Sequence, residues 1–398
     1  MSVSLRVGIN CLDVNPSFVG GVTTYVTGLL DGLANVGNGC RFRIFAAEGN
    51  RYIFDRIKDH PDFEIIVVHD GLLSFRAKVS RMALLSGRRE IFKAVNDHAF
   101  RKIREMMDAE SDIIYTPSPV LRCFDSRKPT VLTMHDIQHV HHPEFFSWPR
   151  RLSRTITYGL SARHANFIQA NSQSTKRDFL EHFPELSDEH VEVIPVGVNL
   201  ERFAESTVKN DVCDRYALPE RFLFYPAQLW LHKNHLTILK ALKKIENKWR
   251  LKIPLVLTGA KYSAASQVLR FMEDQSMGYV YYLGPIPNED IVSLYRKAAF
   301  LIMATLHESG GFPILESAAS GTPIIASRIP PFEEFAQGFQ LSLFDPLDAD
   351  GLACLIRRLW YDQATAAVQS AHNREHVHNY SWENAARKYL RLFARAFG

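Results

Sequence analysis

The stretch Phe300–Ser327, FLIMATLHESGGFPILESAASGTPIIAS, carries the fold and a candidate site together. FLIMAT is an apolar run of strand length, bounded by turn residues. LHESGGF follows as a loop, and Pro313 suits the first position of a helix. A small-residue stretch then leads into PIIAS, which is strand-like again. Strand, loop, helix and strand in this order predict a parallel βα unit. Ser309, Gly310, Gly311 and Phe312 can offer backbone N–H groups to an anion at the start of the helix. Glu308 and Glu316 flank that loop. Carboxylates bind vicinal hydroxyls well, because each oxygen accepts a strong hydrogen bond. Two of them around an amide-lined loop suit two polyol groups joined by a diphosphate, which describes a nucleotide sugar. Two other readings stay open. Glu316 could be a helix-dipole partner beside an exposed Glu308, or the two could be the acid/base pair of a glycosidase.

The same alternation extends outward. LRVGIN, RFRIFAA, FEIIVV, DIIYTP, PTVLTMHD, NFIQANS and VEVIPVG read as strands, with helical patterns such as TTYVTGLLDGLANV between most of them. A polar stretch, LERFAESTVKNDVCDRYALPER, contains no strong strand, and the domain boundary is expected near its start. A second series follows: RFLFYPAQ, the helix HLTILKALKKI, PLVLTG, VYYLG, the helix DIVSLYRKA, FLIMAT and PIIAS. The expected fold class is therefore α/β, with two Rossmann-like parallel-sheet domains. A length of 398 residues suits two such cores.

Composition narrows the class further. The formal net charge is +4, which does not call for nucleic acid as a partner. Cys11, Cys40, Cys123, Cys213 and Cys354 are odd in number and none sits at CxxC spacing. That pattern predicts buried thiols in a reducing compartment. MSVSLRVGINCL reads as a first strand and not as a signal peptide, and no apolar run approaches a membrane span. The expected location is cytoplasmic, with attachment to the inner membrane face as an option.

Ligands of open parallel sheets sit beyond the carboxyl ends of the strands, so strand-end residues matter most. The first strand leads to Gly20 and Gly21, where backbone can approach a ligand before a helix begins. A simple strand-to-helix turn explains the pair equally well. His135 ends the strand PTVLTMHD, where it could orient a sugar or polarise a leaving group, or serve structure alone. His139, His141 and His142 follow, but their spacing fits no structural-zinc pattern, so no metal is expected. Lys233 lies just before a helix. A cation there is poorly placed against the helix dipole unless an anion joins it, which suits a diphosphate.

These motifs together resemble the retaining glycosyltransferases of family 4, which have the GT-B fold with a site in the cleft between two facing domains. Glu308 and Glu316 match the family's E-x7-E motif. Gly20-Gly21, MHDIQHVHHPEFFS, ANSQSTKRDF, VIPVGVN, FYPAQLWLHKN and SWENAARKYLRLF match further segments, so the resemblance covers most of the chain. It implies an acceptor-binding domain over 1–199, a nucleotide-sugar domain over 200–377, and a tail helix over 378–398 that returns to the first domain. By the same resemblance Lys233 binds the donor diphosphate, Glu308 the donor sugar and Glu316 the ribose. His135 lies against the reacting sugar, Gly21 contacts phosphate or acceptor, and the amides of Gly310, Gly311 and Phe312 line the donor. One position departs from the pattern: many members carry arginine five residues before the lysine, and here Gln228 stands there. The wording YPAQ-x-W-x-HKNH is similar to bacterial enzymes that use GDP-mannose or related sugars for surface polysaccharides.

The implied activity is a metal-independent, retaining hexosyl transfer with no cofactor beyond the nucleotide-sugar donor. The acceptor would be a saccharide or lipid-linked saccharide. The alternatives are a non-catalytic sugar-nucleotide-binding homologue, the same enzyme class using a UDP-sugar, and a nicotinamide-dependent oxidoreductase. GINCLDVNPSFVGG lacks the G-x-G-x-x-G that the last requires. SFRAKVSRMALLSGRREIFKAVNDHAFRKIR interleaves many cations with apolar residues. It could form basic amphipathic helices that attract anionic lipid, or a solvated face over an ordinary core stripe.

Overall fold

The computed structural model describes residues 5–14, 21–36, 39–69, 82–84, 86–204 and 211–398. The chain divides into two compact units, 1–197 with 382–398, and 198–381. In the first unit β1 (Arg6–Asn10), β2 (Arg41–Ala47), β3 (Phe63–Val68), β4 (Ile113–Thr116), β5 (Thr130–Thr133), β6 (Phe167–Ala170) and β7 (Val191–Val193) form one parallel sheet, ordered β3-β2-β1-β4-β5-β6-β7. In the second unit β8 (Leu223–Pro226), β9 (Leu255–Thr258), β10 (Val280–Tyr282), β11 (Phe300–Met303), β12 (Ile324–Ser327) and β13 (Ser342–Phe344) are ordered β10-β9-β8-β11-β12-β13. The two-domain parallel α/β class expected from the alternating pattern is what the chain adopts. β13 is an edge strand of three residues, too short to register as a strand pattern.

Parallel strands are buried on both faces, which is why they read as continuous apolar runs. Leu223, Phe224, Tyr225, Leu255, Val256 and Leu257 are all fully buried. Each sheet reverses its strand order once, between β1 and β4 and between β8 and β11. The loops after those strands open the crevice in which ligands of such sheets bind. Lys233 follows β8 and Glu308 follows β11, so the second unit places both at its switch point.

The last helix (Trp382–Phe397) belongs to the first unit, whereas residues 378–381 stay with the second. The Val198 N–H donates to the Tyr380 carbonyl at 2.8 Å, which holds them there. Two features fix the last helix to the first unit. The Trp382 ring fills a socket floored by Gly28 and Gly197, where an added Cβ would lie 2.2 Å and 2.7 Å from its ring atoms. Deeper in, Tyr389 joins a buried hydroxyl cluster. Its oxygen lies 3.1 Å from both the Tyr115 and Thr133 hydroxyls and pairs closely with that of Tyr25. Tyr25 also donates to Gln169 at 3.2 Å, and the Gln169 amide donates to the Ile194 carbonyl at 2.6 Å. Each buried hydroxyl has a partner, so the cluster avoids the cost of stranded polar groups.

Gly28 is helical, so alanine there should gain about 1 kcal/mol of propensity. The clash with Trp382 reverses that sign, and we expect Gly28→Ala to destabilise by about 1–3 kcal/mol. Gly49 has no atom within 4 Å of an added Cβ, so Gly49→Ala should be nearly neutral. Thermal denaturation of the two variants should separate them, and similar melting would show that the socket is not tightly packed.

Candidate functional site

The loop after β8 is built around Asn234, which sits in the left-handed region at φ 54°. Asparagine tolerates this conformation better than most residues. The Asn234 side-chain amide donates to the carbonyls of Ala304 (3.0 Å) and Pro346 (2.8 Å), and its oxygen accepts from the Thr237 hydroxyl at 2.8 Å. One residue thus ties together the loops after β8, β11 and β13. The His232 carbonyl adds a second tie, accepting from the Leu306 N–H at 2.7 Å and the Thr305 hydroxyl at 3.1 Å. The hydroxyl of Tyr225, on β8, donates to the Lys233 carbonyl at 2.8 Å.

These ties set Lys233 against Glu308, with Nζ 2.7 Å from Oε2 and both side chains 19% exposed. Burial alone would push the Glu308 carboxyl up. Lys233 and the Ser309 N–H, which donates to Oε1 at 3.2 Å, together hold it below the usual range. Glu308 is therefore ionised at neutral pH and already paired. Reading the two residues as separate phosphate and sugar ligands did not anticipate this contact, because they are 75 positions apart in sequence.

The following helix spans Phe312–Ser320. Phe312, not Pro313, is its first residue, and Glu316 lies beyond its first turn. Glu316 is therefore not a helix-dipole partner. Gly311 precedes the helix at φ 62°, and an added Cβ would meet the Phe335 ring at 2.8 Å, so glycine is required both by conformation and by space. Glu316 accepts from the Tyr295 hydroxyl at 2.9 Å. Burial raises its carboxyl pKa above the usual value, with Arg202 and the Tyr295 bond opposing. Arg202 and Tyr295 were not singled out in the sequence. Tyr295 lies inside a helix and Arg202 in the linker, and neither position carries a strand-end signal.

Gln228 and Trp230 lie on the same loop as Lys233. The Trp230 ring stacks on Tyr262 at 3.9 Å and 11°. Tyr262 was also not singled out from sequence, since only the fold brings the loop after β9 beside that after β8.

In the first unit, His135 follows β5, and its ring packs nearly perpendicular to that of Tyr25, with centroids 5.2 Å apart. Burial pushes the imidazole below its ordinary value, although Asp136 and the Pro117 carbonyl pull it up. His135 is therefore neutral at pH 7. Gly21 is the exposed first residue of its helix, Gly21–Asn35, while Gly20 lies outside the described residues. The three following histidines part company. His139 is buried against Tyr158, His141 lies 3.0 Å from Asp178, and His142 lies 3.1 Å from Glu144. Among the described residues no group of three His, Cys, Asp or Glu could hold a metal ion. Of the cysteines expected to be buried, Cys11 and Cys123 are buried, Cys40 and Cys213 are half-buried and Cys354 is exposed.

Comparison with known proteins identifies the class. Residues 19–202 match the model described as Glycosyltransferase Family 4, and residues 215–392 match Glycosyl transferases group 1. The first half of the chain thus carries a family 4 glycosyltransferase domain and the second half a group 1 glycosyltransferase domain. It is 25% identical over 184 residues to the O-antigen chain mannosyltransferase B of Escherichia coli, covering 46% of this chain and 48% of that one. It is 26% identical over 243 residues to the D-inositol 3-phosphate glycosyltransferase of Corynebacterium diphtheriae, covering 58% and 57%. The chain thus spans about half the length of the curated relatives it matches. Anabaena HepE, solved with UDP and glucose, has the same fold at TM-score 0.75 and 16% identity, covering 98% of this chain and all (100%) of that one. The two parallel-sheet units are those of the GT-B fold.

Acid should act on two buried histidines. His235, buried with its Nε2–H donating to the Ala227 carbonyl at 3.3 Å, is pushed down to about 3 by burial. His139 is pushed down to about 4, by burial and then by Arg154. Both stay neutral in the folded chain where the unfolded chain would protonate them. Their contribution is intact above the ordinary histidine pKa of about 6.5 and declines as pH falls toward 4 and then 3. Thermal midpoints between pH 7 and pH 4 should fall, with a shallower slope in His235→Asn. Equal slopes would show that His235 does not titrate on unfolding.

Proposed function

We propose that this glycosyltransferase moves a mannosyl group from GDP-mannose to a saccharide or lipid-linked saccharide acceptor, with retention at the anomeric carbon and without a metal ion. The observation that carries the reading is the Lys233–Glu308 pair, 2.7 Å apart at the switch point of the second unit. As the nucleotide diphosphate departs, negative charge grows on its oxygens and positive charge on the sugar. Lys233 supplies a fixed cation for the first, and preorganised groups of this kind make the largest contribution to many enzyme rates. Glu308 accepts from hydroxyls of the transferred sugar once Lys233 turns to phosphate. Glu316 accepts from the ribose hydroxyls. His135, held neutral by burial, orients the transferred sugar. The likeness to the E. coli mannosyltransferase supports the sugar, and the YPAQ-x-W-x-HKNH wording supports the guanine nucleotide. UDP in the HepE structure belongs to that protein and keeps a UDP-sugar donor as the second reading.

Nucleotide binding tests this. GDP should raise the melting temperature more than UDP, with or without EDTA, since ligand binding to the folded state stabilises it. Glu316→Ala should weaken binding of bare GDP roughly tenfold or more, the loss of a charge-assisted bond being worth about 1.5–3 kcal/mol. Glu308→Gln should bind GDP as tightly or more tightly, because it releases Lys233, yet lose turnover. A larger GDP shift that EDTA abolishes, or tighter UDP binding, would overturn the metal or donor assignment. Loss of GDP affinity in Glu308→Gln would overturn the division of roles.

The proposal extends to peripheral attachment at the inner face of the cytoplasmic membrane. No helix among the described residues is long and apolar enough to cross a membrane. Part of the basic stretch, including Arg76, Lys78 and Arg81, lies outside the described residues. The described part includes Arg88, Arg89, Arg101 and Lys102, all exposed. Each near-surface cation contributes on the order of 1 kcal/mol toward anionic lipid. Liposome co-sedimentation should rise with anionic lipid and fall with salt, and no binding at low ionic strength would remove this part of the proposal.

A further inference from the structure

Gln228 stands where many family members place a fixed positive charge, and its surroundings indicate how a neutral side chain serves there. The Trp230 indole Nε1–H donates to Gln228 Oε1 at 2.9 Å. An indole nitrogen only donates, so the atom facing it must be the carboxamide oxygen. This fixes which way the amide is turned, a point that geometry otherwise leaves ambiguous. The two N–H bonds on the Gln228 amide nitrogen then form the end turned away from Trp230. They can donate to phosphate oxygens in place of a guanidinium.

Trp230 is itself held. Its ring stacks on Tyr262 at 3.9 Å, and the backbone of the preceding residue, Leu229, is paired on both its N–H and its carbonyl. The Leu229 N–H donates to the Ala260 carbonyl at 3.0 Å, and the Ala264 N–H to the Leu229 carbonyl at 2.9 Å. The loops after β8 and β9 approach so closely at Gly259 that an added Cβ would lie 2.8 Å from the Gln228 backbone nitrogen. The Trp230 N–H to Gln228 O contact is thus built on paired backbone and a stacked ring, a few residues from Lys233.

We infer that Trp230 is a positioning residue for the donor diphosphate: its indole N–H turns the Gln228 amide so that its N–H bonds supply donors beside the Lys233 ammonium. This rests on the nucleotide-sugar reading above and adds a residue to it. Trp230 acts through Gln228 and not by touching the ligand.

The test is calorimetric binding of GDP, UDP and GMP to the full chain and to W230F, Q228L and the double variant. Phenylalanine keeps a ring to stack on Tyr262 and removes only the donor. W230F should weaken binding of the preferred nucleoside diphosphate about three- to tenfold, the range for one neutral hydrogen bond. Its preference for GDP over GMP should narrow, which a general loss of stability would not produce. Q228L should lose as much or more. The double variant should bind no worse than Q228L, because groups acting as a unit are not additive. Unchanged diphosphate affinity in W230F, or additive losses in the double variant, would overturn the inference. If W230F fails to fold, Q228E decides. Its carboxylate still accepts from the indole but presents no donor, so it should bind more weakly than Q228L, and parent-like binding would overturn the inference. If the parent chain binds neither GDP nor UDP, the nucleotide-sugar reading itself fails, which is distinguishable from a parent that binds alongside an unaffected W230F.

Discussion

The second unit depends on one residue held in an unusual conformation. Asn234 occupies the left-handed region and uses its side-chain amide to hold carbonyls of the loops after β11 and β13. A residue without that amide would leave two carbonyls unsatisfied in a half-buried place, and each such group costs about 1–3 kcal/mol. A β-branched side chain would resist the backbone conformation as well. Lys233 is the next residue back along the chain. Its ammonium reaches Glu308 because the loop that carries it is tied to the loop that carries the carboxylate.

That pairing has consequences for how a ligand is received. A lysine exposed before a helix would face an unfavourable dipole. Here a carboxylate meets it, and the charge is balanced before any substrate arrives. In the function proposed above, an incoming diphosphate competes with Glu308 for Lys233, and the carboxylate that it displaces then becomes available to hydroxyls. The same two residues can in this way serve both ends of a sugar diphosphate in turn. On the inference drawn above, Gln228, held by Trp230 on the same loop, adds neutral donors where a second cation would raise the charge of the empty site.

The first unit solves a different problem. Its last helix is separated from the rest of it by the whole of the second unit, 198–381, so a specific lock is needed to hold it. Trp382 in its glycine-floored socket supplies shape, and the cluster of Tyr25, Tyr115, Thr133, Gln169 and Tyr389 supplies polar specificity. Tyr25 also packs against His135, so the candidate sugar-orienting histidine rests on the same cluster that anchors the helix.

Much of this was legible in the sequence, for a physical reason. Parallel strands buried on both faces must be continuous apolar runs, and strand ends must carry the ligand-facing residues, so β1 to β12 and the candidates His135, Lys233, Glu308 and Glu316 could be named from local pattern, whereas Gln228 was named only by the family resemblance. The resemblance to the family 4 glycosyltransferases followed from the spacing of Glu308 and Glu316 together with the other motifs, and the matched domains are of that kind. What local pattern could not supply was any contact across the sheet. The Lys233–Glu308 pair, the Tyr295 bond to Glu316, the Trp230–Tyr262 stack and the Trp382 socket join residues far apart in the chain. Sequence spacing sets which residues share a loop or a helix face. Which loops stand side by side is decided by strand order, and strand order is decided only when the sheet packs.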